Sequence, residues 1–367
     1  MKTTTNYGLI GCGMMGREHL RNIALLPDTN VAAIYEPDEG MAGKAQALAP
    51  DAVFTDSIES LLKIDTLDCY VIVSPNFRHI EQLETLCQSP KPLLVEKPLF
   101  TNPDDISRID HFIANYPAPV WVAMEYRYMP PVAVFLEEAE QVTGGITMLT
   151  IREHRFPFLE KIGDWNRFNV QTGGTFVEKC CHFFDLMRLA LKAEPVTVMA
   201  SGAQNVNHLD ESYDGQTPDI FDNGYVIVDF DSGARAMLEL CMFAEGSRYQ
   251  EEIHAIGKLG KIEAKVPGPA RFWPDHLGPQ PIPGVVISPR SPAGPIEREV
   301  PVDPALLDAG DHNGSTFYQH RKFLAVVKGQ SATPEVSSND GKMAVIMGMA
   351  AQRSMVEGRA VQIAEFD

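Results

Sequence analysis

The sequence predicts an α/β chain. Residues 1–125 form a parallel, doubly wound sheet, and residues 126–367 an α+β domain with an open, predominantly antiparallel sheet. Three observations predict this. The short apolar run Tyr7-Gly8-Leu9-Ile10 feeds directly into Gly11-Cys12-Gly13-Met14-Met15-Gly16, the pattern of a strand, a tight glycine turn and a helix. Short apolar runs then alternate with stretches of helical spacing up to residue 125. From about residue 146 the pattern changes to longer strands with residue-by-residue alternation, joined by tight turns.

In the first domain, residues 17–26 carry Leu20, Ile23, Ala24 and Leu26 at helical spacing, and Pro27-Asp28 stops that helix. A second strand, 31–35, ends at Glu36, which stands 20 residues after Gly16. In this order the glycines permit the turn, the close approach of a pyrophosphate and helix packing, while Glu36 accepts hydrogen bonds from ribose hydroxyls. Helix N-termini favour phosphate through their open amides and positive dipole end. No Arg or Lys follows in Pro37-Asp38-Glu39-Gly40, so NAD is expected over its 2′-phosphorylated form. Further strands are expected at 68–73, 93–95 and 119–124. Ligands of such sheets lie beyond the carboxyl ends of the strands. Ser74-Pro75-Asn76, with His79 opening the next helix, is thus a candidate cofactor contact or an ordinary turn. Glu96-Lys97-Pro98 ends the next strand, and Lys97 could polarise a substrate oxygen or simply pair with Glu96.

In the second domain, 223–230 and 234–243 flank Asp231-Ser232-Gly233, and 250–256 and 261–266 flank Gly257-Lys258-Leu259-Gly260; both read as hairpins. A helix is expected from about 174 to 191, covering one face of the sheet. The other face needs a cover, which suggests self-association. Residues 267–304 hold eleven prolines and read as an ordered, irregular excursion. The tail 338–358 resumes helical spacing, with Ser338 or Asn339 as N-cap and Gly358 as stop.

Composition narrows the function. The net charge of −18 argues against nucleic-acid or anionic-membrane partners and leaves a small molecule as the expected substrate. The start is not signal-like, and no apolar run reaches bilayer length. Cys12, Cys69, Cys87, Cys180, Cys181 and Cys241 show no metal-ligand spacing, so reduced thiols, a cytoplasmic location and no metal are expected.

The densest chemistry lies in Gly173-Gly174-Thr175-Phe176-Val177-Glu178-Lys179-Cys180-Cys181-His182. On one continuous helix Glu178 and His182 share a face, and a carboxylate beside an imidazole suits acid–base work near neutrality. The bland alternative makes Thr175-x-x-Glu178 a capping box and His182 a core histidine.

Together the glycine turn, Glu96-Lys97-Pro98 and Gly173-Gly174 followed by Glu178 and His182 resemble the glucose-fructose oxidoreductase, inositol dehydrogenase and rhizopine-catabolism protein family, over nearly the whole chain. The resemblance implies a Rossmann domain with NAD, an open sheet used for homodimer or homotetramer formation, and hydride transfer with sugars or cyclitols. It makes Lys97 the active-site lysine and His182 the catalytic histidine, with Glu178 standing where many members carry Asp. Arg127, Arg155 and Trp165 become candidate substrate contacts, with His312, Tyr318 and His320 as weaker ones. An NAD-recycling lyase, glycosidase or isomerase, or a dinucleotide-sensing regulator, would use the same fold.

Overall fold

The computed structural model describes residues 4–366. They form two compact units, one running up to Glu125 and including Thr316–Val345, the other comprising Tyr126–Ser315 and the residues from Ile346 onward.

The first unit holds six parallel strands: β1 (Thr5–Ile10), β2 (Thr29–Tyr35), β3 (Val53–Thr55), β4 (Cys69–Ile72), β5 (Leu93–Val95) and β6 (Val120–Val122), in the order β3-β2-β1-β4-β5-β6. The reversal of strand order beside β1 creates a crevice at the carboxyl end of that strand. β4 and β5 are buried at every residue, as the continuous apolar runs of a sheet covered on both faces require. β3 escapes the sequence reading because it is a three-residue edge strand whose Val53 is exposed. Thr316–Val345, placed with the second domain by the sequence, packs with the first unit. Phe323 and His320 both meet the ring of Tyr7 edge-on, and Thr316 Oγ1 donates to Glu18 Oε1 at 2.8 Å.

The second unit is built on nine strands: β7 (Ile146–His154), β8 (Pro195–Ala203), β9 (Asn223–Phe230), β10 (Arg235–Cys241), β11 (Glu251–Gly257), β12 (Gly260–Val266), β13 (Gly284–Pro289), β14 (Ile296–Glu299) and β15 (Val361–Gln362). Their order is β14-β13-β12-β11-β7-β10-β9-β8-β15; only β7 and β10 run parallel. The helices Pro130–Thr143 and Cys181–Leu191 cover one face. On the other face Met199, Ile227 and Tyr225 are exposed, while their alternating neighbours Val198, Val226 and Val228 are buried.

Three local expectations change. The proline-rich stretch is not wholly irregular, because it carries the β13–β14 hairpin that widens the sheet. The helix expected over 174–191 is broken into Thr175–Glu178 and Cys181–Leu191. The terminal helix, Ser338–Glu357, is capped one residue earlier than expected: Ser337 Oγ accepts from Asp340 N, and the Asp340 carboxylate accepts from Ser337 N, at 3.1 and 2.9 Å.

Candidate active site

In the first unit the turn after β1 is shaped by glycine. Gly11 has φ +92°, and a Cβ there would stand 2.7 Å from the Val73 carbonyl oxygen. A Cβ on Gly16 would lie 2.9 Å from Gly11 O, so the helix Met14–Ala24 can pack close to the strand only without one. Gly13 differs, with nothing within 4 Å of its would-be Cβ. It is the N-cap of that helix, and no side chain caps the first turn. Cys12 is buried, and burial first and the Glu36 carboxylate second push its thiol up to about 12. Met14 and Met15 begin the helix at the surface. Glu36 reaches back from the end of β2, its Oε2 accepting from Cys12 N at 2.5 Å and its Oε1 from Asp38 N at 3.0 Å. A carboxylate therefore sits at the glycine turn, as its spacing in the sequence requires.

At the end of β4, Ser74 Oγ donates to Gln82 Oε1 at 2.6 Å, and Pro75 leads into a short 3-10 turn beginning at the buried Asn76. His79 is fully buried, its ring nitrogens 2.8 Å from Pro98 O and 3.2 Å from Ser74 O. It braces the ends of β4 and β5 against each other. Glu96 is buried beside the half-buried Lys97, whose backbone N–H donates to Glu96 Oε2 at 3.2 Å. The other Glu96 oxygen lies 2.8 Å from His19 Nε2, and His19 Nδ1 lies 2.6 Å from His320 Nε2. Burial alone would raise the Glu96 carboxyl, but the His19 hydrogen bond and charge outweigh it and hold the group below its usual range. Burial drives His320 far down, so that ring stays neutral. The sequence offered His320 as a weak substrate contact; the structure gives it to this buried chain. Tyr318 packs under Arg321.

In the second unit Gly173 and Gly174 take φ +79° and +91°, and a Cβ on Gly174 would collide with the Gln352 amide at 1.7 Å. The capping box does not form: Thr175 Oγ1 donates to Phe221 O at 2.7 Å, and the N-cap Gly174 has no side chain. Glu178 ends the first short helix and His182 is the second residue of the next, both buried, so their four-residue spacing spans the break between the two helices. His182 stacks on Tyr126, with ring centres 4.1 Å apart and planes at 4°. Arg127 forms a two-pronged ion pair with the buried Asp185, Nε to Oδ2 at 2.5 Å. Arg155 is half-buried, reaching Glu153 Oε1 at 3.5 Å with its guanidinium 4.4 Å from the centre of the Phe156 ring. Trp165 is half-buried in the 3-10 segment Ile162–Arg167, and the His312 ring lies 6.0 Å from that of Tyr126.

Sequence reasoning missed Lys179, Glu153 and Glu251. Lys179 Nζ donates to Tyr126 Oη at 2.5 Å and pairs with Glu153 Oε1 at 2.9 Å. Strand alternation turns Glu153 and Glu251 to the helix-covered face, and the β7–β11 register sets them directly opposite each other. Burial first, and the facing Glu153 second, lift Glu251 to about 7. A carboxyl raised on folding contributes most below its unfolded value and loses that contribution as pH rises to the folded value. Denaturant unfolding is thus expected to show stability falling between about pH 4.5 and pH 7, by on the order of 3 kcal/mol, with Glu251→Gln flattening the slope. An unchanged slope in that variant would remove Glu251 as its source.

Two family models together cover most of the chain. Residues 5–124 match the NAD-binding Rossmann fold of an oxidoreductase family, and residues 139–363 match its C-terminal alpha/beta domain. The chain belongs to the glucose-fructose oxidoreductase, inositol dehydrogenase and rhizopine-catabolism protein family. It is similar to the myo-inositol 2-dehydrogenase of Thermotoga maritima, 25% identical over 98% of both chains, and to the inositol 2-dehydrogenase of Rhizobium meliloti, 25% identical over 98% of this chain and 100% of that one. Its fold matches levoglucosan dehydrogenase solved with NADH and levoglucosan, at TM-score 0.79 and 19% identity over 98% and 99% of the two chains. NAD is the cofactor of this oxidoreductase. The open Gly13, the uncapped helix start and the Glu36 carboxylate fit its pyrophosphate and ribose. Among the described residues there is no cluster of three or more His, Cys, Asp or Glu able to hold a metal, and no helix long and apolar enough to cross a membrane.

Proposed function

We propose that this oxidoreductase is an NAD-dependent dehydrogenase acting on a CH–OH group of a cyclitol, sugar or sugar derivative, resembling inositol 2-dehydrogenase. The observation that carries the reading is the pairing of family membership with a retained Glu96-Lys97-Pro98 and a buried His182 held flat against Tyr126. A protein that only senses dinucleotide needs neither Lys97 nor His182.

The glycine turn Gly11-Cys12-Gly13-Met14-Met15-Gly16 would hold the pyrophosphate. Glu36 would take the ribose hydroxyls, and its charge would repel a 2′-phosphate. Ser74, Pro75, Asn76, His79 and Glu96 complete or brace the cofactor side. Bound NAD would supply the hydride acceptor for the carbon that carries the reacting hydroxyl. His182 takes the hydroxyl proton on its imidazole, Lys97 stabilises negative charge building on the same oxygen, and Glu178 orients the imidazole. Arg127 supports this side through its Asp185 pair, while Arg155 and Trp165 are offered as substrate contacts. Absorbance of reduced nicotinamide tests the reading directly, with a polyol and sugar panel offered NAD or its 2′-phosphate form. Stoichiometric accumulation with NAD is the expected result. Turnover of a sugar with no net reduced cofactor would instead establish a recycling lyase, glycosidase or isomerase.

The proposed partner is a second copy of this chain rather than nucleic acid or membrane. Met199 pairs with Ile227, and Ile227 with Met237, on the uncovered face of the nine-stranded sheet, where two copies forming a homodimer or homotetramer would bury them. A monomer at micromolar concentration in sedimentation velocity would reject this. A cytoplasmic location accords with six cysteines that form no disulfide.

A further inference from the structure

The proposed chemistry makes no use of the ionic cluster beside Tyr126. Lys179 is 4% exposed, and nothing in its nearly all-apolar segment calls for a charge. A buried ammonium carries a desolvation penalty that an apolar residue of similar size would avoid. Here its contacts are specific: Nζ lies 2.5 Å from Tyr126 Oη, 2.9 Å from Glu153 Oε1 and 4.6 Å from the centre of the Tyr126 ring. Tyr126 also bears on the histidine stacked against it. An electron-rich phenol ring lying flat on an imidazole favours the imidazolium, by the attraction of a cation for a π face. That is the wrong form for a base.

We infer that Lys179 is a positioning residue for His182: it clamps Tyr126 by the hydroxyl, so that the phenol fixes the imidazole plane, and its charge on that ring opposes protonation of the histidine. The inference rests on the base role proposed for His182. Other charged groups around this arrangement are Glu178 and the Asp185–Arg127 pair near the histidine, Glu153 and Arg155 from β7 and its end, Glu251 from β11, and the His312 ring beside Tyr126. Glu153 neutralises the ammonium, while Gln250 Nε2 donates to Glu251 at 2.6 Å. The ion pair is therefore a dipole whose positive end touches Tyr126.

The test is the His182 titration in the full chain, followed by ¹⁵N NMR of labelled histidine with His182→Asn for assignment, together with the acid limb of kcat/KM. Lys179→Met is expected to raise both midpoints by at least about half a pH unit, and Lys179→Arg to restore them. Lower activity with unmoved midpoints would mean that Lys179 serves packing alone and would overturn the inference. Should Lys179→Met fail to fold, Lys179→Met/Glu153→Gln removes the whole ion pair. A raised His182 midpoint there supports the inference, and an unmoved one overturns it. If the wild type oxidises no polyol, the dehydrogenase reading fails, while the NMR midpoints still decide the role of Lys179.

Discussion

Alanine at position 182 is expected to lower kcat for the oxidised polyol by about 10²- to 10⁴-fold, the usual contribution of a positioned acid–base group. Binding of NAD, measured by fluorescence quenching or calorimetry, should be unchanged, because no part of the dinucleotide site is altered. Lys97→Met is expected to fall in the same range, for a different reason: it removes charge stabilisation of the hydroxyl oxygen, whose carbon becomes a carbonyl as it gives up hydride. The proposed roles put both groups on one reacting hydroxyl, so on that reading the double variant should lose much less than the product of the single losses. The acid limb should disappear with His182 and persist with Lys97→Met. Activity surviving both changes would sink the assignment. Losses that multiply without interaction would show that the two residues do not serve one reacting hydroxyl.

The second large effect separates two glycines of one turn. Gly11→Ala forces a side chain into positive φ and drives its Cβ to 2.7 Å from a backbone oxygen that cannot swing aside. A loss of about 3 kcal/mol of stability is expected, with NAD binding lost alongside. Gly13→Ala has negative φ and an empty surround, so its thermal midpoint should stay within a few degrees of wild type. On the proposed cofactor site its methyl would stand in the approach of the pyrophosphate, so NAD should bind at least about tenfold more weakly, a loss of about 1.4 kcal/mol. Differential scanning fluorimetry with and without NAD reads both. Equal thermal losses in the two variants would refute the division of labour between the glycines.

Much of this was legible in the residues because local rules and global fold agree. The glycine turn, the acid at Glu36 and the buried runs of β4 and β5 each follow from spacing that one segment carries by itself. What escaped depends on pairing between distant segments. Glu153 and Glu251 read as ordinary charges on two strands until the β7–β11 register faces them inward at the same level. Lys179 reads as a misfit in an apolar stretch until Tyr126 and Glu153 supply its partners. The break between Glu178 and His182 escaped for another reason: the segment keeps helical hydrophobicity throughout, and the interruption at Lys179-Cys180 leaves no Pro or Gly to announce it.

The two rims of the nine-stranded sheet differ from its broad surface in a way that governs how the protein can aggregate. At one rim, β14 presents Glu297, Arg298 and Glu299, all exposed, with Arg298 tied to Glu138 at 2.8 Å. At the other, β15 is only two residues long and turns at once into the 3-10 segment Ile363–Phe366. Charge on one border and brevity on the other are both features that discourage a foreign strand from extending the sheet. Strand-by-strand polymerisation is therefore disfavoured, and growth of the particle at high concentration is expected to proceed by stacking rather than by lengthening the sheet.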